Sequence, residues 1–233
     1  MAKFYAVREG RETGVFTNWT DCQKQVTGFK GAKFKSFATE EEAWNFVNGG
    51  KAGELPECEA YAYTDGSYNE QTGLTGGGGI LYVAGKAYEF LIRTDNHDTE
   101  YNEMRNVGGE ILASTAAVLK AKELGVRSLR IYHDYEEVGS WAQGAWKANK
   151  EATKRYAQFC EAQKSDIDLQ FVHVSAHTGI DGNELADELA KYAVGLADGE
   201  TRVRHPNMQW IDMRAIQKEL PDSEQEKQYE LTL

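Results

Sequence analysis

The chain has 233 residues, of which 41% are hydrophobic and 27% charged, which is typical of a folded globular protein and excludes a disordered one. A net charge of −11 argues against a nucleic-acid partner, which usually requires a basic surface. No apolar run approaches the roughly 18 residues of a membrane-spanning helix, and Met1–Tyr5 lacks the apolar stretch of a secretory signal. Because Cys22, Cys58 and Cys160 are scattered, we expect reduced thiols in a cytoplasmic protein, or a nuclear one in a eukaryote, without membrane association.

Residues 1–48 are predicted to form a compact ββαβα domain. Its strands are Lys3–Arg8, Thr13–Phe16 and Ala32–Phe37, and its helices begin at the capping boxes Thr20–Gln23 and Thr39–Glu42. Residues 1–37 hold seven basic and three acidic side chains, a net charge of +4, against −15 for the rest of the chain. A basic head on an acidic body is an asymmetry that the function has to explain.

A second domain is predicted for residues 59–195, after a glycine-rich linker at residues 49–58 that contains Pro56. Its predicted strands are Ala60–Asp65, Gly76–Val83, Lys86–Arg93, Ser128–His133 and Leu169–Val174, and its predicted helices are Glu110–Glu123, Glu136–Gln143, Ala152–Gln163 and Asn183–Val194. The order βββαβααβα indicates an α/β fold in which a mixed five-stranded sheet has helices on its faces.

The C-terminal extension, residues 196–233, is polar except for one amphipathic segment. Apolar side chains recur at near-helical spacing between Trp210 and Leu220, which predicts a helix. A tryptophan on an uncovered apolar face would be unusual, so we expect this helix to dock on the body of the protein or on a partner. The extension is then expected to add stability and to be dispensable for the activity of the preceding domain.

Four carboxylates lie at the ends of these predicted elements. Asp65 ends the first strand of the second domain, Glu110 opens its first helix, Asp134 follows its fourth strand, and Asp187 lies one turn into its last helix. Converging carboxylates suit Mg²⁺ or Mn²⁺, and two such ions activate water and stabilise the leaving oxygen of a phosphodiester. His177, in a loop, could move protons. In a chain with 37 acidic residues, however, a single Asp at a strand end is more often a cap or a solvated charge, so spacing alone leaves both interpretations open.

Five motifs follow one another between residues 60 and 195. They are Tyr63–Ser67, Asn106–Glu110, His133–Asp134, Val174–Gly179 and Asn183–Ala190. In kind and in order they resemble the motifs of type I ribonuclease H, whose fold is a mixed five-stranded sheet with flanking helices. The resemblance covers the whole of the second domain.

This resemblance implies a role for each candidate residue. Asp65, Glu110, Asp134 and Asp187 match the catalytic ligands of two Mg²⁺ ions, for which Mn²⁺ is expected to substitute. His177 matches the histidine that assists water activation or product release. The position of Asn106, four residues before the glutamate, matches an asparagine that contacts the substrate backbone.

The N-terminal domain carries a resemblance of its own. The segment Phe4–Phe16, then Trp19, then Lys33–Trp44 resembles the hybrid-binding domain of ribonucleases H, which is related to caulimovirus viroplasmin. The matching contact positions are Tyr5, Trp19, Phe34 and Lys35, whereas Ser36 stands where a lysine is common. Aromatic rings flanked by lysines can stack on sugars or bases while the lysines meet phosphates. We interpret Phe37 and Trp44 as core residues instead.

Two features depart from the better-known family members. Gly108–Gly109 stands where bulkier residues often precede the glutamate. The stretch Trp141–Phe159 is short for the basic handle helix of some bacterial members. Its basic side chains either do part of the work of the handle or form a solvated helix face; they are Lys147, Lys150, Lys154 and Arg155.

The function implied by both resemblances is endonucleolytic hydrolysis of the RNA strand of RNA–DNA hybrids, leaving 5′-phosphate and 3′-hydroxyl ends. One alternative is a hybrid-binding scaffold with an inactive nuclease fold, but all four carboxylates and His177 are present. Another is a junction resolvase or integrase on the same fold, and the N-terminal domain argues against it.

Overall fold

The computed structural model describes residues 3–37, 40–47, 58–174, 181–197 and 199–221, which form two separate β-sheets with helices. Among these residues, no helix is both long enough and apolar enough to cross a membrane. His177, Thr39 and most of the predicted linker lie outside the described residues.

The N-terminal sheet has three antiparallel strands in the order β2-β1-β3. Its elements are β1 (Phe4–Glu9), β2 (Gly14–Phe16), α1 (Trp19–Val26), β3 (Lys33–Phe37) and α2 (Glu40–Val47). The ββαβα order is the predicted one, but the predicted capping box at Thr20–Gln23 is wrong. Asn18 caps α1 instead, because its side-chain oxygen accepts a hydrogen bond from the backbone N–H of Asp21.

The larger sheet has six strands in the order β8-β7-β4-β5-β6-β9. They are β4 (Ala60–Asn69), β5 (Leu74–Val83), β6 (Lys86–Arg93), β7 (Ser128–His133), β8 (Asp168–His173) and β9 (Gln209–Trp210). β4, β5 and β6 pair antiparallel, whereas β7 pairs parallel with β4, and β8 with β7. The predicted mixed five-stranded sheet is confirmed, and the C-terminal extension adds the short strand β9, parallel to β6.

Helices cover both faces of this sheet. They are α3 (Thr99–Asn102), α4 (Asn106–Glu123), α5 (Glu136–Ala142), α6 (Glu151–Gln163), α7 (Asp181–Ala193), α8 (Thr201–Arg204) and α9 (Met213–Glu219). Successive residues of a strand point to opposite faces. Along β5, Gly77 faces α4 and Gly78 faces α7, so these two helices lie on opposite sides of the sheet.

Glycines let both helices approach the sheet closely. A Cβ atom on Gly78 would lie 2.3 Å from the backbone nitrogen of Ala190 in α7, and one on Gly77 would lie 2.4 Å from the carbonyl oxygen of Gly109 in α4. Any side chain at these positions would push a helix away from the sheet. Gly77 and Gly78 therefore set the distance between β5 and the two helices.

The C-terminal extension packs onto the rest of the protein. Ile216 and Leu220 are buried in the same hydrophobic core as Ile111 and Leu112 of α4. The predicted helix was wrong at its start, because α9 begins at Met213. Trp210 lies in β9 with 51% of its surface exposed.

Candidate active site

Asp65 lies in the middle of β4, which continues to Asn69, so the prediction that it ends a strand was wrong. Its carboxylate is only 8% exposed and accepts a hydrogen bond of 2.6 Å from the backbone N–H of Gly66. The neighbouring Thr64 points to the other face of the sheet, where its hydroxyl meets that of Ser114 in α4. The strand therefore holds Asp65 on a rigid backbone at the centre of the sheet.

Glu110 lies one turn inside α4 rather than at its start, because the helix begins at Asn106. The side chain is 3% exposed, and its Oε1 accepts hydrogen bonds from the backbone N–H groups of Asp134, at 3.2 Å, and of Tyr135, at 3.3 Å. Glu110 thereby ties α4 to the chain that leaves β7. This contact places the residue after the strand, Asp134, beside Glu110.

Two glycines, one on β4 and one on α4, allow α4 to approach β4 and β5 closely. A Cβ atom on Gly66 would lie 2.0 Å from the carbonyl oxygen of Asn106, and one on Gly109 would lie 2.0 Å from the carbonyl oxygen of Gly76. The unusual Gly109 in front of Glu110 thus has a steric reason, since a side chain there would meet the backbone of β5. The sequence signal for this close approach was the pairing of a glycine-rich strand with a glycine-rich helix start.

Three carboxylates meet at one point. One oxygen atom from each of Asp65, Glu110 and Asp134 lies within 4.8 Å of the other two. Burial, and then the charge of Asp134, raise the pKa of Asp65 and the pKa of Glu110 well above their usual values. Such a concentration of negative charge on hard oxygen atoms fits a divalent cation such as Mg²⁺, because the cation would offset the repulsion.

Asp187 is near this group but is not a member of it. It lies on α7, and its Oδ2 forms an ion pair of 2.7 Å with Nζ of Lys191, one turn further along the helix. The charge of Asp187 contributes to the raised pKa of Asp65, whereas that of Lys191 opposes it. The structure therefore brings three of the four predicted ligands together and leaves the fourth within electrostatic reach, paired with a lysine.

Two histidines that were not predicted hold the backbone around Asp134. Nε2 of His173 lies 2.9 Å from the carbonyl oxygen of Asp134, and Nδ1 of His133 lies 3.1 Å from that of Tyr135. Because a carbonyl oxygen only accepts, the facing ring nitrogen carries the proton in each case. Burial lowers the pKa of His133 to about 4. The sequence alone did not indicate this role, because it depends on the parallel register that pairs His133 of β7 with His173 of β8.

Asn106 is the first residue of α4 and is exposed. It follows Arg105, whose φ of 54° is unusual for a residue with a side chain. Asn106, which is predicted to contact the backbone of the substrate, thus lies at the surface, one helical turn before Glu110.

The predicted contact residues of the N-terminal domain separate onto two faces of β3. The rings of Tyr5 and Trp19 lie 5.6 Å apart and those of Trp19 and Phe34 5.7 Å apart, with Trp19 41% and Phe34 45% exposed. We call these three residues the aromatic surface. Lys35 alternates with Phe34 along the strand, and its Nζ lies over the ring of Phe37, 5.1 Å from the centroid. Lys35 is therefore not part of the aromatic surface.

Comparison with known proteins bears on both domains. The family model described as "Ribonuclease H1 N-terminal domain" matches residues 3–47, and the one described as "RNase H" matches residues 58–195. The chain belongs to the ribonuclease H family. Human ribonuclease H1 is 30% identical over 257 residues, which cover 81% of this chain and 88% of that protein. Mouse ribonuclease H1 is 29% identical over 260 residues, covering 82% and 89%. The crystal structure of RNase H1 from Halobacterium salinarum NRC-1 is 24% identical, covers 59% of this chain and 98% of that one, and has a TM-score of 0.47.

The basic residues of this ribonuclease H around α6 differ in their surroundings. Arg155 is buried and donates to Glu100 at 2.5 Å and to the carbonyl oxygen of Pro221 at 2.6 Å, so it ties the extension to the fold. Lys147 and Lys150 are exposed on the segment before α6. Of the four basic candidates, Arg155 therefore has a structural role.

Phe37 and Trp44 are buried, which confirms that they are core residues.

Proposed function

We propose that this ribonuclease H hydrolyses the RNA strand of RNA–DNA hybrids and leaves 5′-phosphate and 3′-hydroxyl ends. The observation that carries the proposal is the meeting of Asp65, Glu110 and Asp134 oxygens within 4.8 Å in a chain of this family. Residues 59–195 perform the reaction, residues 1–48 hold the hybrid, residues 49–58 connect them, and residues 196–233 form the extension. A cytoplasmic location stays a prediction from the sequence.

The residues that would hold two Mg²⁺ ions, or Mn²⁺ in their place, are Asp65, Glu110, Asp134 and Asp187. Bound divalent ions supply an activated water and stabilisation of the leaving oxygen. Glu110 also fixes the backbone of Asp134 through its two accepted hydrogen bonds, which keeps both carboxylates on one side of the site. The carboxylate of Asp187 would have to bind a metal ion while it is also paired with Lys191.

Other residues orient the substrate and move protons. Asn106 is exposed at the start of α4, one helical turn before Glu110, and would contact the backbone of the hybrid. His177, which precedes α7 in the chain, would assist water activation or product release. Discrimination between RNA and DNA depends on the 2′-hydroxyl, which the wide minor groove of the hybrid presents.

The N-terminal domain would raise the local concentration of substrate. Trp19 and Phe34 of its aromatic surface are exposed, and residues 1–37 carry a net charge of +4, opposite to that of the phosphates. Because the domain is tethered, hybrid held on it meets the second domain in an intramolecular step. This arrangement reconciles hybrid binding with a net charge of −11 for the whole chain.

The decisive experiment is cleavage of an end-labelled RNA–DNA hybrid with Mg²⁺, beside matched RNA and DNA duplexes. We expect only the RNA of the hybrid to be cut, and we expect ligase to accept the 5′-phosphate ends. Equal cutting of the DNA duplex would contradict the proposed specificity. Binding of the hybrid without cleavage would instead favour the scaffold alternative.

A further inference from the structure

The C-terminal extension grips α7 at the residue next to Asp187. Oε1 of Glu188 accepts hydrogen bonds from the Thr201 hydroxyl, at 2.9 Å, and from Nε of Arg204, at 2.8 Å, and Nη2 of Arg204 also donates to it. Nε2 of His205 lies 3.6 Å from the other carboxylate oxygen. We call Thr201, Arg204 and His205 the α7 clamp.

Thr201 and Arg204 lie three residues apart on one face of α8, and His205 directly follows the helix, so the three side chains reach Glu188 together. The same short segment is anchored elsewhere as well. Nδ1 of His205 lies 3.0 Å from Glu89 Oε1 on β6, and the Thr201 side chain is fully buried. The clamp therefore joins α7 to β6 of the sheet.

Apolar packing supports the same contact. Met208 of the extension is buried in one cluster with Leu189 and Ala193 of α7 and Leu91 of β6. The helix also rests on Gly78 of β5, where there is no room for a side chain. The helix is thus held between the sheet and the extension.

The rotation of α7 about its axis decides where Asp187 points. Consecutive helix residues are about 100° apart around the axis, so holding Glu188 against the extension also sets the direction of Asp187. Asp187 is close enough to act on the pKa of Asp65, yet its carboxylate is paired with Lys191. A small rotation of α7 would change the position of Asp187 relative to the other three carboxylates.

We propose that Arg204 is a positioning residue for the metal site, and that it acts by holding Glu188 and so fixing the rotation of α7, which sets the direction of the adjacent Asp187. The inference rests on the proposed two-metal function. It departs from the expectation that the extension is dispensable for activity.

The exposure of the Arg204–Glu188 ion pair distinguishes a positioning role from a general effect on the stability of the protein. The side chain of Arg204 is 43% exposed and that of Glu188 28% exposed, and exposed ion pairs add little to global stability because water screens them. Two nitrogens of the Arg204 guanidinium, however, donate to one oxygen of Glu188, and such charge-assisted hydrogen bonds restrict the geometry of both groups. Its loss should therefore appear at Asp187 before it appears in the unfolding of the whole protein.

The test uses the full chain and the Arg204→Met variant, with Arg202→Met as the matched control, because Arg202 is an exposed arginine on the same short helix. Mn²⁺ binding is measured by calorimetry without substrate. We expect Arg204→Met to weaken binding about threefold to tenfold, below the 10–100-fold typical for partners bonded directly to a ligand. Hydrogen exchange of α7 amides without metal should become faster in this variant, and Arg202→Met should match the wild type in both measurements.

Cleavage assays add a second readout that a purely structural role would not give. The Mg²⁺ concentration for half-maximal cleavage should rise by the same factor, while KM for the hybrid at saturating Mg²⁺ stays unchanged. Glu188→Gln should weaken Mn²⁺ binding similarly, and the double variant should be no worse than either single one. If Arg204→Met does not fold, Arg204→Lys, which keeps the charge but loses the second donor nitrogen, is measured in its place.

Wild-type Mn²⁺ affinity in Arg204→Met, or equal weakening by Arg202→Met, would overturn the proposal. Additive effects of Glu188→Gln and Arg204→Met would overturn it too, since the two residues would then act separately. Failure of the proposed function looks different, because the wild-type protein itself would then neither bind Mn²⁺ at this site nor cut the hybrid.

Discussion

Replacing Asp65 with Asn should make the metal-free protein more stable and inactive. Asp65, Glu110 and Asp134 each place a carboxylate oxygen within 4.8 Å of the others, and Asp65 is only 8% exposed. Asn keeps nearly the same shape and can still accept the hydrogen bond from Gly66, so the substitution removes charge with little change in packing. The variant therefore isolates the electrostatic part of the site.

The size of the effect follows from the geometry. Two unit charges at this separation repel by about 3.5 kcal/mol at an effective dielectric constant of about 20. A carboxyl group can escape the repulsion by binding a proton, which costs about 4 kcal/mol at pH 7 for a group with an ordinary aspartate pKa. This cost is the upper limit of the gain. We therefore expect Asp65→Asn to raise the free energy of unfolding in EDTA by about 1–4 kcal/mol at pH 7.

The pH dependence has a definite sign. The pKa of Asp65 and the pKa of Glu110 are raised in the folded protein, so the folded state binds more protons than the unfolded chain above about pH 4. Stability from these groups is fully present below that pH and is lost as the pH rises through the raised pKa values. Wild-type stability in EDTA should thus decline as the pH rises above the ordinary carboxyl pKa, and Asp65→Asn should flatten the decline.

Urea unfolding in EDTA and in Mg²⁺ measures both effects, and hybrid cleavage measures activity. Mg²⁺ at about 100 times its Kd would stabilise the wild type by about 2.7 kcal/mol, and we expect the variant to lose most of this. Asp166→Asn is the control, because its exposed pair with Lys122 should change stability by less than about 1 kcal/mol and leave the Mg²⁺ effect intact. A less stable Asp65→Asn protein in EDTA, or cleavage within about tenfold of wild type, would refute the reasoning.

Three further predictions concern the rest of the molecule. Gly78→Ala should reduce the free energy of unfolding by about 1–3 kcal/mol and weaken Mn²⁺ binding, because the new Cβ would lie 2.3 Å from the α7 backbone. Gly199→Ala is the control: it has open space around it and should not change stability in urea unfolding. Deleting residues 1–50 should weaken hybrid binding and make its salt dependence shallower by about 0.9 per lost phosphate contact, with kcat unchanged; an unchanged slope would assign the domain another role. Between pH 6.5 and pH 4, the wild type should lose about 3 kcal/mol more of its free energy of unfolding than His133→Asn. The reason is that the folded pKa of His133, about 4, lies below its unfolded value, so the buried ring resists the protonation that the unfolded chain accepts. Equal losses in the two proteins would contradict the burial argument.

Local patterns in the sequence were enough for the architecture. Alternating apolar residues in β4 and the helical spacing in α4 depend on neighbours a few residues away, so both elements could be predicted, although not their ends. The motif order implied the family, and the family models confirm it. The choice of Asp65, Glu110 and Asp134 as candidates likewise came from the sequence.

Only the tertiary structure decided how these groups meet. Asp65 lies within its strand and Glu110 within its helix, because strand pairing and helix packing extend both elements beyond the boundaries that their own residues indicate. The pairing of Asp187 with Lys191 could be guessed from a spacing of four residues, but its distance from the other carboxylates could not.

The C-terminal extension shows the limit most clearly. Its apolar spacing predicted a docking helix, yet Trp210 pairs with the edge of the sheet, and Arg204 reaches back to Glu188. Such contacts join residues far apart in the chain, and nothing in either local sequence marks its partner. What the sequence determined by itself were the elements and the chemistry of their side chains, whereas the positions of those side chains required the assembled sheet and the two helices packed against its glycines.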